Sequence, residues 1–168
     1  MTPGLVLLHW PMLIYSRKVM NQKKFSTCFH LVCCFNGLTF TNGITNYRIQ
    51  NRILGEEGIR ELVNEHYELL IKSPVKDLFP GKGPELEKAK KNAADFFIQV
   101  CGGPMYFNKN RGRPMMYKRH LPHKITADAR KVWLDCYRQA LLQRNLPEEV
   151  MFSFWNYLDV FSKWMVNS

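Results

Sequence analysis

His120 is the residue whose type and setting point most directly to chemistry. It closes the basic segment Arg111, Arg113, Lys118, Arg119, and Pro114 and Pro122 bracket it. One neutral imidazole on a short, fixed element can hold a metal or move a proton. With cations at its rim and apolar walls, it offers what an iron porphyrin requires. The bland alternative is a surface or satisfied core histidine, the commoner fate of a lone one. The basic run is equally open: a solvated face, a nucleic-acid patch, or partners for the carboxylates of a bound group. Tyr67 and Trp133 lie on apolar helix faces. Each is core or, where both face one cavity, a hydrogen-bond donor to a ligand inside it.

Other chemistries find less support. Cys101, Cys136, His66, His120 and His123 show no structural-zinc spacing. The glycine fingerprints of phosphate and dinucleotide sites are missing, as is a Gly-x-Ser-x-Gly elbow. The five cysteines are odd in number and form no Cys-x-x-Cys pair. Reduced thiols in a cytoplasmic protein are the simplest reading.

Four amphipathic helices must position these residues. Residues 56–72 place Ile59, Leu62, Val63, His66, Leu69 and Leu70 on one face, with Tyr67 beside them. Ser73-Pro74 stops that helix, and 79–84 is a loop. Residues 85–101 turn Leu86, Ala89, Ala93, Phe96, Phe97 and Val100 inward, and Gly102-Gly103-Pro104 ends the run. An irregular stretch to about Gly112 leads to a short helix over Pro114–His120. Thr126 caps a helix to about Arg144, with Val132, Trp133, Cys136, Tyr137, Ala140 and Leu141 inward. Pro147, Glu148 and Glu149 open the last one, which buries Val150, Phe154, Tyr157, Leu158, Phe161 and Met165. No strand pattern competes from residue 54 onward, so the body reads as all-α.

The N-terminal part differs in composition. Residues 1–55 contain no Asp or Glu, although the whole chain has 14 acids, 24 Lys and Arg, and a net charge of +10. Residues 1–52 therefore read as an extension, disordered or a mis-assigned start at Met20 or nearer Tyr47. The apolar run 5–15 is too short to span a bilayer and is interrupted by Pro11. It lacks the basic n-region of a signal peptide, and its resemblance to a transit peptide is loose. The run FHLVCCF is a candidate strand. Residues 53–168 form the globular domain, and no membrane association is expected.

GGPMYFNKNRGRPMMYKRHLPHKI, followed by ARKVWLDCYRQAL, resembles a group II truncated haemoglobin, as does the opening GEEGIRELVNEHYELL. The likeness spans about residues 53–166, and Trp133 stands thirteen residues past His120 as the family pattern requires. It implies a two-over-two helical sandwich around haem b. His120 matches the proximal iron ligand, Tyr67 the distal tyrosine and Trp133 the distal tryptophan. Phe79 matches the aromatic on the haem face and Arg119 a propionate partner. Phe96, Phe97, Met116 and Ile125 complete the implied haem contacts, and Ala89 and Ala93 fall at the distal gate and wall. The chain departs from the pattern at His66, where an aromatic is usual, and at Arg113, His123 and the small Ala93.

The resemblance implies reversible binding of dioxygen and other diatomic ligands. Nitric-oxide dioxygenation or peroxidase-like turnover on the same scaffold is a second class, which would draw electrons from an external reductase. A haem-free nucleic-acid module using the basic 109–124 segment is a third, and no nucleic-acid partner is expected.

Overall fold

A computed structural model describes the backbone of residues 31–35, 38–40 and 44–168, with side chains from Ile53 onward. The apolar run 5–15 and Met20 lie outside the described residues. Two short strands, β1 (Leu31–Phe35) and β2 (Leu38–Phe40), pair antiparallel, with Leu31 opposite Phe40. The candidate strand in FHLVCCF therefore falls on β1, and the other elements among the described residues are helical.

Helix α1 (Ile44–Leu70) starts earlier than the periodicity suggests and is interrupted at Gly55. Gly55 has φ 64 and ψ 175, a left-handed conformation that only glycine adopts cheaply. The helix of the sequence pattern starts there. A 3₁₀ turn (Lys76–Leu78) leads to α2 (Pro84–Val100). Gly102, at φ 83, ends α2 in a Schellman motif: Gly103 N donates to Ile98 O at 2.9 Å and Gly102 N to Gln99 O at 3.1 Å. The stretch read as irregular contains a further helix, α3 (Tyr106–Arg111), whose Phe107 is buried. Its register is too short for periodicity to reveal. Helix α4 (Met116–His120) carries His120 at its end. Helix α5 (Ala127–Leu142) is capped by Thr126, whose Oγ1 accepts from Ala129 N at 3.1 Å. Pro147 is the N-cap of α6 (Glu148–Met165) rather than its first helical residue.

The helices form the two-over-two sandwich. Helix α1 packs on α2, α5 and α6, and α5 packs on α6, while α3 lies on α2 and α4 on α6. Ile59, Leu62, Val63, Phe96, Phe97, Tyr137, Ala140, Phe154 and Leu158 share one core. Lys90 and Asp95 are also buried on α2, where the apolar pattern gives no hint of them. Lys90 Nζ reaches Glu68 of α1 at 2.8 Å. Asp95 gathers Arg60 of α1, Lys91 and Asn110 of α3. A charge can be buried at this depth only with such partners. Among the described residues, no helix is long and apolar enough to cross a membrane.

Candidate functional site

Helix α4 is too short to hold His120 by itself, and the surrounding chain grips it at both ends. Ahead of it, Arg119 gathers the entering loop. Its Nε donates to Pro114 O at 2.7 Å, and its Nη2 donates to Arg111 O at 2.8 Å and Arg113 O at 3.2 Å. This holds Met115 in a left-handed conformation, at φ 41, an uncommon state for a residue with a side chain. Behind it, Asn167 clasps the exit. Its Nδ2 donates to His120 O at 3.1 Å and His123 O at 2.9 Å, while Ile125 N donates to its Oδ1 at 3.0 Å. Asn167 N closes the ring on Ile125 O at 3.0 Å.

The imidazole is equally defined. His120 Nδ1–H donates to Met116 O at 2.7 Å, and a carbonyl can only accept, so Nε2 keeps its lone pair. Burial pushes the His120 pKa below the ordinary histidine value, and the charge of His123 adds to this. The bond to Met116 opposes both without reversing them. A neutral ring with a free Nε2, its other nitrogen fixed by a backbone carbonyl, is the form that ligates a metal.

His120 faces a cleft of two lobes. The larger lobe has a volume of about 320 Å³ and the smaller about 240 Å³. Both are lined by Tyr67, Phe79, His120, Trp133 and Phe161. Ile125 borders the larger lobe, and Ala89, Ala93, Phe96, Phe97, Met116 and Arg119 border the smaller one. The residues singled out from the sequence thus meet at one cleft, although they come from α1, α2, α4, α5 and the loops.

Tyr67 and Trp133 bring polar hydrogens to this apolar space. Neither the Tyr67 hydroxyl nor the Trp133 indole N–H has a hydrogen-bond partner among the described residues. Burial raises the Tyr67 pKa to about 12, so the phenol stays a neutral donor. Phe79 packs edge-on against Tyr67, with ring centroids 5.9 Å apart. The guanidinium of Arg119 lies over the Phe107 ring at 5.6 Å, and its Nη1 has no hydrogen-bond partner among the described residues, which leaves it available to an anionic group.

His66 completes the wall behind these donors. Its ring stacks on Tyr137 at 3.5 Å, and its Nε2–H donates to Trp133 O at 3.2 Å. Nδ1 is buried without a partner. Burial lowers its pKa to about 3, so His66 is neutral at ordinary pH. Sequence reasoning missed Phe161 and Asn167 as site residues. Phe161 carries the same apolar signal as any core residue of α6. Asn167 lies past the last helix, where no local pattern marks it.

Residues 49–167 match the bacterial-like globin family. The chain belongs to that family. Within it, the likeness is to group II truncated haemoglobins. The group 2 truncated haemoglobin YjbI of Bacillus subtilis is 31% identical over 115 residues, covering 68% of this chain and 85% of that one. Among solved structures, phosphate-bound Hell's gate globin IV is 39% identical with a TM-score of 0.70, over 72% of this chain and 76% of that one. The truncated oxygen-avid haemoglobin from Bacillus subtilis is 30% identical with a TM-score of 0.66, over 70% of this chain and 98% of that one.

Globins of this family bind haem b, and this globin's cleft fits the group. It combines a neutral imidazole with an unengaged Nε2, aromatic walls, a free guanidinium edge at Arg119 and two unpaired donors. Haem b is therefore its cofactor.

Proposed function

We propose that this globin binds dioxygen reversibly, for carriage or storage, with His120 Nε2 as the sole protein ligand of the haem iron. When bound, haem would supply an iron that takes a diatomic ligand. The observation that carries the reading is the pairing of that neutral imidazole with two partnerless donors, Tyr67 O–H and Trp133 N–H, on one cleft. Donors fixed in an apolar space favour a ligand that carries partial negative charge. Arg119 Nη1 would hold a haem propionate, and Phe79, Phe96, Phe97, Met116 and Ile125, which line the cleft, would pack on the porphyrin. Ala89 and Ala93, which line the smaller lobe, would leave space there for the ligand. The likeness to an oxygen-avid haemoglobin supports the same reading. The cytoplasm suits it, because Cys101 and Cys136 are buried thiols outside any disulfide.

His120→Ala tests the ligand. The variant is expected to fold, by far-UV circular dichroism, yet to purify without a stable haem spectrum. Wild-type haem content with an unaltered spectrum would overturn the assignment. Equilibrium dioxygen binding with parallel nitric-oxide and peroxide assays on the wild type then separates carriage from turnover. Rapid catalytic consumption of either substrate would replace the carrier reading with an enzymatic one.

A further inference from the structure

Between Asp95 and Asp128 the chain has no carboxylate and six cations: Lys109, Arg111, Arg113, Lys118, Arg119 and Lys124. Arg119 turns inward to the loop carbonyls. The other five are exposed. None pairs with a carboxylate among the described residues, whereas Lys90, Lys91, Arg130, Lys131, Arg138, Arg144 and Lys163 all do. Lys72, Lys76, Lys82 and Lys88 form no salt bridge either, but Glu68, Asp77, Glu85 and Glu87 stand within four residues of them. The stretch through α3, α4 and their loops, which frames His120, instead carries its positive charge with no carboxylate of its own.

This face is not uniformly polar. Met115 and Tyr117 are each 41% exposed and Leu121 is 50% exposed. Tyr117 and Leu121 stand four residues apart, on one side of α4 and its last turn, joined by Leu121 N donating to Tyr117 O. An apolar centre within a cationic edge is the anatomy of a protein-binding surface. A surface tracking a phosphate backbone needs the cations but not the apolar centre. Leu121 directly follows His120, so an occupant of this face lies beside the iron's own ligand.

We propose that this face docks an acidic flavoprotein that, in its reduced hydroquinone form, returns the haem iron from ferric to ferrous by one electron. The inference rests on haem ligation by His120. One electron leaves the donor and one reaches the iron. The cations speed encounter and orient the partner, and the Met115–Tyr117–Leu121 patch supplies the contact.

The test uses the ferric holoprotein and an acidic flavodoxin reduced to its hydroquinone, followed by stopped-flow absorbance at low and high salt. Lys118→Glu with Lys124→Glu is expected to slow reduction at least about tenfold at low salt, and the loss should shrink toward twofold near 0.5 M salt. Lys72→Glu with Lys88→Glu changes net charge equally outside the segment and should alter the rate less than about threefold. Equal losses in both pairs, or no loss in either, would overturn the proposal. So would loss of duplex-DNA binding in the Lys118/Lys124 pair alone with flavodoxin reduction intact, which would assign the face to nucleic acid. The absorption spectrum of each variant is recorded first. Absence of a haem spectrum in the wild type would be a failure of the globin reading, distinguishable from a failure of docking.

Discussion

His66 should make this globin acid-sensitive in a way that one substitution removes. Its ring is 1% exposed and its pKa is lowered to about 3, chiefly by burial, against 6.5 for an unhindered histidine. The sign follows from linkage. Above pH 6.5 the ring is neutral in both folded and unfolded chains and makes no pH-dependent difference. Below 6.5 the unfolded chain takes up a proton that the folded chain refuses, so stability falls until the pH nears 3. At pH 4.5 the gap is two pH units at about 1.4 kcal/mol each, a loss of about 2.7 kcal/mol. His66→Phe keeps an aromatic against Tyr137 and has nothing to protonate. It gives up the bond to Trp133 O, worth about 1 kcal/mol, but also removes the partnerless Nδ1, a burden of about 1–3 kcal/mol. At pH 7.5 the variant should therefore match the wild type or exceed it. Urea unfolding of both holoproteins, with haem concentration fixed, should show the variant gaining about 2–3 kcal/mol on the wild type between pH 7.5 and 4.5. Carboxylates and His120 titrate in both proteins and cancel in the difference. Parallel stability curves over that range would refute the reasoning, because they would mean that His66 is not held neutral.

Tyr67→Phe combined with Trp133→Phe should speed dioxygen release at least about tenfold in flash photolysis or stopped flow, since two hydrogen bonds to a polarised ligand exceed 1.4 kcal/mol. Asn167→Ala should accelerate haem loss to apomyoglobin by about 10–100-fold and shift the iron–histidine stretching band, with helicity unchanged. Gly55→Ala should lower stability by about 1 kcal/mol, or about 2–4 °C in Tm. A Cβ there meets nothing within 4 Å, so the penalty comes from the backbone alone and calorimetry measures it cleanly.

What the chain reveals before folding depends on how local the cause is. Thr126 announces α5 because a cap is a four-residue event, and Gly102-Gly103 announces the end of α2 for the same reason. Apolar spacing identified Ile59, Leu62 and Val63 as core, since a helix shows one face to its neighbours. It did not identify Lys90 and Asp95, whose burial depends on Glu68 and Arg60 one helix away. Helix α3 escaped because six residues are too few for a period. The cleft was legible through motifs around His120 and Trp133, whereas Asn167 became visible only once the end of the chain lay against the exit from α4.

The same contrast separates the two sides of the cleft. The His120 side is built from main-chain bonds: Met116 O, the three carbonyls on Arg119, and those held by Asn167. Carbonyl positions do not depend on which side chain each residue carries, so the exposed Arg113 and the cleft-rim His123 can depart from the family pattern without moving the ligand. The Tyr67–Trp133 side is built from side chains on α1, α2 and α5, where each substitution alters the wall itself. His66 beside Tyr67 changes what braces Trp133, and Ala93 changes how much space the smaller lobe holds. Haem retention should thus be the conserved property of this pocket, and ligand affinity the one its departures tune. The two are separable: Asn167→Ala acts on the first, and Tyr67→Phe with Trp133→Phe acts on the second. A variant of the Asn167 clasp that changed dioxygen release as strongly as haem loss would show that the two sides are mechanically coupled.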